Sequence, residues 1–372
     1  MEENIRKDGK MNFGKRGMLK RRIPAVLLIL AMLLTAGCAK GGDGTKGTTG
    51  ADNAANRKQE EVQQPAKVTY PVTLTDQTGR EVVIEKQPET IVSGYYISTS
   101  LLLALGQKDK LTGVEKKAES RPIYGLCASE ILSLPDVGTA KEFDLEQCAA
   151  LHPDLVVLPA KLKNVIPSLE ELGLTVLIVT PENQKLLEES VTLLGTAVNA
   201  MDRAQEMLTF VDTKMTELKK AIKDVSQPKV YITSNSAFLA TAGKNMYQHD
   251  MIVNAGGKNV AEELDDDYWE QISYEQLLAW NPQYIILAAD ADITVESVLA
   301  DPQLAECEAV KNKNVYQIPN GIESWDSPVP GCVLGNLWLA SVLHPEQYPQ
   351  EEYEQAVTEF YETFYGFTPE VS

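Results

Sequence analysis

Residues Asp144 to Leu158 read "DLEQCAALHPDLVVL", and residues Ser273 to Leu287 read "SYEQLLAWNPQYIIL". The two phrases agree wherever local structure is decided. Asp144 and Ser273 are N-cap residues by type, with Gln147 and Gln276 three positions on, the pattern of a capping box. An apolar pair follows, then His152-Pro153 or Asn281-Pro282, and then an unbroken apolar run. Proline cannot continue the helix, so each phrase predicts a short capped helix leading into a buried strand. Glu146 and Glu275 fall at the same early helical position. A first-turn carboxylate stabilises the helix dipole and needs no partner for that. That local role does not explain why the same carboxylate returns at the same point of a second copy.

Around the first copy lie "TIVSG", "LVVLP" and "TVLIVTP", and around the second "KVYIT", "QYIILA" and "NVYQIP". Short apolar runs alternating with helical stretches predict parallel sheets with crossover helices, in two series. A hairpin pattern, "VTLTDQTGREVVI" from Val72 to Ile84, precedes the first series. Between the series, Met201, Ala204, Leu208, Val211, Met215, Leu218, Ile222 and Val225 recur at helical spacing. The stretch from Thr196 to Val225 therefore reads as one continuous helix, roughly 45 Å long at 1.5 Å per residue. The expected fold class is α/β: two Rossmann-like lobes with mainly parallel sheets, joined by that one long helix. The lobes are placed at 69–195 and 228–372, with the interlobe helix at 196–227.

The chain opens with a basic region, the apolar core "IPAVLLILAMLL" (Ile23 to Leu34) and "TAGC" ending at Cys38. The core is too short to span a bilayer, and the arrangement reads as a secretory signal over 1–37. Cysteine directly after Ala36-Gly37 is similar to a bacterial lipoprotein signal, with Cys38 as the lipidated residue, although Thr35 stands where an aliphatic residue is more usual. The long basic region leaves Met11 and Met18 as further candidate starts. Residues 38–68 are polar and without periodicity, and read as a flexible tether. Of 34 basic and 53 acidic residues, 8 and 3 lie in the first 37, leaving 26 against 50. So acidic a body argues against a nucleic-acid partner. Cys127, Cys148, Cys307 and Cys332 match neither a zinc knuckle nor a dithiol motif, and spacing does not settle their pairing.

"ETIVSGYYISTSLLLALG", "LPDVGTAKEFDLEQCAALHPDLVVL", "HDMIVNAGGKNVAEEL", "WEQISYEQLLAWNPQYIIL" and "LGNLWLASVLHPEQYP" together resemble the Fe/B12-type periplasmic substrate-binding proteins of ABC importers. The likeness covers about residues 69 to 365. It implies the class III binding-protein fold, with cargo held between the lobes and little hinge motion. It also implies a cargo that is an iron chelate (siderophore or haem) or cobalamin, no catalytic cofactor and no enzymatic activity. The implied partners are the transmembrane subunits of a permease with a cytoplasmic ATPase, and the implied location is the extracytoplasmic face of the cell membrane, with a lipid anchor. In the family a glutamate on each lobe meets arginines of the permease, and the phrases carrying Glu146 and Glu275 match those segments. A molybdate-like oxyanion cargo is an alternative within the same importer class, and a ligand-binding surface sensor or adhesion module without transport is another.

Ligands of open α/β lobes lie beyond the C-terminal ends of the strands. That rule selects Tyr95 and Tyr96, where one ring can still pack inward, with Ser98 or Thr99 capping the next helix. Arg121 and Tyr124 offer a cation and a flat face. Lys161 offers a charge for an anion, or is simply solvated. Asn245, Tyr247 and His249 open a helix in the second lobe. His249 has three readings: a ligand of a chelated metal, a hydrogen-bonding wall residue or a structural residue. Trp325, in the loop "GIESWDSPVPG", is expected as a wall for a large apolar ligand rather than as a lid packed on the lobe.

Overall fold

The computed structural model describes residues 67–265 and 268–370. The signal segment, Cys38 and the tether to residue 66 lie outside the described residues. β1 (Val72–Thr75) and β2 (Glu81–Ile84) form the expected antiparallel hairpin, with Val72 opposite Ile84. The first series gives β3 (Ile91–Ser93), β4 (Leu111–Gly113), β5 (Leu155–Pro159) and β6 (Val176–Val179). These four make a parallel sheet ordered β4-β3-β5-β6. The second series gives β7 (Lys229–Ile232), β8 (Ala240–Thr241), β9 (Lys258–Asn259), β10 (Glu270–Gln271), β11 (Tyr284–Leu287) and β12 (Val315–Gln317). β8 and β10 pair off as a small antiparallel ribbon, and the rest form a second parallel sheet ordered β9-β7-β11-β12. Both sheets thus follow the same second-first-third-fourth order. The fold is the two-lobed α/β architecture of class III binding proteins. β5 and β6 are buried along their whole length, as strands covered on both faces must be.

The duplicated phrases occupy equivalent places, each a short helix feeding the third strand of its sheet. Asp144 Oδ1 accepts from the Gln147 amide at 2.8 Å, and Ser273 Oγ from the Gln276 amide at 3.2 Å. Each helix stops on a residue with positive φ, His152 (46°) or Asn281 (47°), directly before its proline.

The helix expected over 196–225 is shorter. Thr196 and Ala197 close the preceding helix, Gln184–Ala197, and the long helix runs Met201–Ala221, about 31 Å at 1.5 Å per residue. Asn199, at φ 58°, breaks the run. Its Oδ1 accepts from the Val68 amide at 3.0 Å and its Nδ2 donates to Gln87 Oε1 at 3.0 Å, contacts that lie outside the periodicity read from the stripe. The long helix packs on Gln184–Ala197 of the first lobe and on Cys332–Leu343 of the second. The last helix, Gln350–Tyr365, was expected to belong to the second lobe alone. It also reaches the first: Phe360 and Phe364 pack on Phe210 of the long helix, and Tyr365 Oη donates to the Ser100 carbonyl at 3.3 Å.

Candidate functional site

A cleft of 1070 Å³ opens between the lobes, at the C-terminal ends of the first sheet. Gly94 and Tyr95 follow β3, Glu115 to Lys117 follow β4, Ala160 and Lys161 follow β5, and Thr180 and Glu182 follow β6. The opposite wall carries Asn245 to Gln248, Tyr268, Trp269 and Pro328. Another groove, of 1160 Å³, runs along the hairpin and the long helix; its lining, which includes Glu188, Glu189 and Asp212, contains no aromatic side chain among the described residues. The cleft is the better ligand site, because it combines strand ends, rings and charge.

Tyr95 and Tyr96 both line the cleft, half-buried, with rings edge to face at 5.2 Å. Burial raises the phenol pKa of each. The helix beyond them begins at Tyr96, with Tyr95 as an N-cap that makes no side-chain bond. Ser98 and Thr99 therefore fall inside the helix and do not cap it: the Ser98 hydroxyl donates back to the Tyr95 carbonyl at 2.7 Å, and that of Thr99 donates to Glu115 Oε2 at 2.6 Å. Arg121 lies 4.1 Å from the centre of the Tyr96 ring. Lys161 reaches across the cleft to within 5.6 Å of the Tyr268 ring. Asn245 stands at the rim, its amide donating to the Asp265 carbonyl at 2.7 Å.

Three expectations are corrected in part or whole. Tyr124 is fully buried below the cleft floor, its hydroxyl donating to Glu115 Oε1 at 2.8 Å, so it offers no flat face to a ligand. Trp325 is core and not wall: its indole N–H donates to Tyr361 Oη at 2.9 Å and its ring meets Tyr353 edge on. Tyr247 touches the cleft, yet it is 2 % exposed and its hydroxyl donates to the Cys332 carbonyl at 2.9 Å. His249 is not among the lining residues; its Nδ1 lies 3.3 Å from Asn259 Nδ2, a structural placement. Among the described residues no group of three or more His, Cys, Asp or Glu side chains is placed to hold a metal ion. The four cysteines at 127, 148, 307 and 332 are free thiols, and burial pushes Cys127, Cys148 and Cys332 up to about 12, which leaves them unreactive.

Reading from sequence missed Lys116, Lys117, Lys163, Glu115, Tyr268 and Trp269. The first two sit in a loop directly after β4, where the strand-end rule would have found them had "LTG" been read as a strand. Glu115 is a buried carboxyl held by Thr99 and Tyr124, and burial raises its pKa against those bonds. Glu146 and Glu275 are both exposed, and neither makes an ion pair among the described residues.

The sequence matches the family model described as periplasmic binding protein over residues 91–321. The chain belongs to that family. This binding protein is 26% identical to an uncharacterized ABC transporter substrate-binding lipoprotein, YvrC, of Bacillus subtilis, over 90% of this chain and all of the relative. It is 24% identical to the molybdate-binding protein MolA of Haemophilus influenzae, over 78% and 90% of the two chains. A solved structure of molybdate-bound MolA shares its fold, with a TM-score of 0.72 over 80% of this chain and 99% of MolA. A cobalamin-binding protein of Halobacterium salinarum is 23% identical over 74% of this chain and 75% of its own length. The Fe/B12-type resemblance drawn from the quoted segments is thus confirmed as a family membership.

Proposed function

We propose that this chain is the extracytoplasmic receptor of an ABC importer, tethered by a lipid on Cys38. It captures a bulky chelate, an iron siderophore, haem or cobalamin, in the interlobe cleft and delivers it to a permease through Glu146 and Glu275. It is a carrier and not an enzyme. The observation that carries this reading is the cleft: 1070 Å³ walled by Tyr95, Tyr96, Tyr268 and Trp269. Drug-sized ligands occupy about 300–1,000 Å³ and are gripped mainly by apolar and aromatic walls. A tetrahedral oxyanion, comparable to a few waters of about 30 Å³ each, would leave most of that space unfilled. The likeness to an ABC transporter substrate-binding lipoprotein and to a cobalamin-binding protein supports both the transport role and the size of the cargo. Molybdate is the second reading, favoured by the likeness to MolA and by the uncapped first turn at Tyr96 beside Arg121.

The test uses the protein with its permease and ATPase in proteoliposomes. Loading with ferric siderophores, haemin, cyanocobalamin or molybdate is followed by tryptophan fluorescence, and ATP hydrolysis is then measured. The expected result is micromolar or tighter binding of at least one chelate and stimulation of the ATPase by the loaded protein. Binding without stimulation leaves a surface sensor in place of a transport receptor.

A further inference from the structure

We propose that the cargo is a polyanionic, aromatic-bearing iron chelate, bound in one orientation with its charged edge against the first lobe. The inference rests on the reading above that the interlobe cleft is the cargo site. Five cations line the cleft, Lys116, Lys117, Arg121, Lys161 and Lys163, and all five come from the first lobe. The second-lobe wall carries no charged side chain among the described residues; it offers Tyr268, Trp269, Met246, Pro328 and the amides of Asn245 and Gln248. Positive charge is thus confined to the first-lobe wall, while ring surface lies on both walls, Tyr95 and Tyr96 on the first lobe and Tyr268 and Trp269 on the second.

These cations are close together and carry their charge unneutralised. Elsewhere Arg80, Lys86, Lys108, Lys110 and Lys214 are ion-paired, while Lys141, Lys219, Lys220 and Lys223 also make no ion pair among the described residues, so it is the clustering in one cavity that sets the cleft apart. Among the described residues none of the five cleft cations is in an ion pair. Arg121 and Lys161 rest instead over the rings of Tyr96 and Tyr268, contacts that position a cation without cancelling its charge. Lys117 holds a left-handed backbone, φ 69°, which a lysine seldom adopts. Two carboxyls share the lining, Glu115 and Glu182. Glu115 is turned inward, with both oxygens occupied by Thr99 and Tyr124, so it offsets little of the charge that a ligand meets. Like charges crowded in a half-closed cavity repel one another, and a bound polyanion relieves that cost. A neutral chelate leaves it in place.

The experiment compares four probes on the purified soluble domain by tryptophan fluorescence, at 50 and 300 mM NaCl. The probes are a ferric tris-catecholate, haemin, a neutral ferric trihydroxamate and cyanocobalamin. One or both anionic probes should bind at least about 100-fold tighter than the neutral pair, and weaken about tenfold or more at the higher salt. The comparison of tris-catecholate with haemin identifies which source of anionic, ring-bearing iron fits. Lys116→Gln combined with Lys117→Gln, and separately Lys161→Gln with Lys163→Gln, should each cost at least about tenfold for the anionic probe while the melting temperature stays put. Tyr268→Ala should weaken it as well, through lost ring contact. Neutral chelates binding as tightly as the anions, or a dissociation constant indifferent to salt and to the lysines, overturns the polyanion inference and leaves the receptor reading standing. Failure of all four probes, with molybdate bound tightly, overturns both the aromatic-bearing cargo and the chelate reading.

Discussion

Glu323 is a carboxyl without an ion pair among the described residues. It is 6 % exposed, in a loop whose Ile322 carbonyl accepts from the Ile123 amide of the first lobe at 3.2 Å. One oxygen accepts from Tyr361 Oη at 3.1 Å, and the other has no hydrogen-bond partner among the described residues. Burial therefore raises its pKa from 4.5 to about 7, against the bonds from Tyr361 and the Gly331 amide. The unfolded chain releases this proton first as pH rises, so stability falls between about pH 4.5 and 7 and is lowest above that window. The neighbouring Asp326, pushed up to about 6 by burial, acts in the same direction. At about 1.4 kcal/mol per pH unit, Glu323→Gln should stabilise the protein by up to about 3 kcal/mol at pH 8 and by almost nothing near pH 4.5. Urea denaturation of both proteins across that range reads the difference directly, and a gain independent of pH would refute the assignment. Glu323 was not legible in the sequence, and neither was the burial of Trp325 two residues on. Both depend on Tyr353 and Tyr361, which the last helix brings to the loop from some thirty residues away. A loop rich in Gly, Ser and Pro announces a turn, but it does not say what packs over it.

Local chemistry decides more at the scale of elements. The duplicated phrases yielded their helices and strands because cap, helix and buried run are all short-range features. The turn between helix and strand was half read: proline stops the helix, but the residue ahead of it does the turning. His152 and Asn281 take φ of 46° and 47°, and histidine and asparagine are among the side chains that tolerate this region. That assigns His152 a backbone task. Asn281 adds a long-range bond, its Oδ1 accepting from the Glu308 amide at 2.9 Å. Asn281→Ala should cost about 1–3 kcal/mol, from the left-handed backbone and the lost bond together. Asn281→Gly, which keeps the backbone freedom and loses only the bond, should cost clearly less in the same denaturant titration. Equal costs would place the whole effect in the hydrogen bond. The broken helix at Asn199 makes the complementary point. Its apolar stripe was legible, but its start was fixed by bonds to Val68 and Gln87 that no periodicity encodes.

Among the described residues the two lobes share their largest apolar cluster, which continues through both of them and the helices between, from Val82 to Tyr365. Opening the cleft widely would shear that cluster, so cargo release calls for an external grip. The two glutamates of the duplicated phrases sit where such a grip would work. Thr139 and Ala140 line the cleft a few residues before the helix of Glu146, and Tyr268 and Trp269 line it just before the helix of Glu275. Each carboxylate therefore follows a cleft-lining stretch of its own lobe by a few residues, exposed and without an ion pair among the described residues. The first-turn position keeps the Glu275 carboxyl below the usual carboxylate range through its own backbone amide and Ser273. A partner with two basic sockets would straddle the cleft and bear on both lobes at once. Replacing both by lysine should leave chelate affinity within about twofold of wild type, since neither lines the cleft, while stimulation of the permease ATPase falls to background. Either single reversal should retain part of the stimulation and make it steeply dependent on salt, because one remaining ion pair is easily screened. Full stimulation by the double variant would remove the glutamates from the docking surface and leave the cleft assignment untouched.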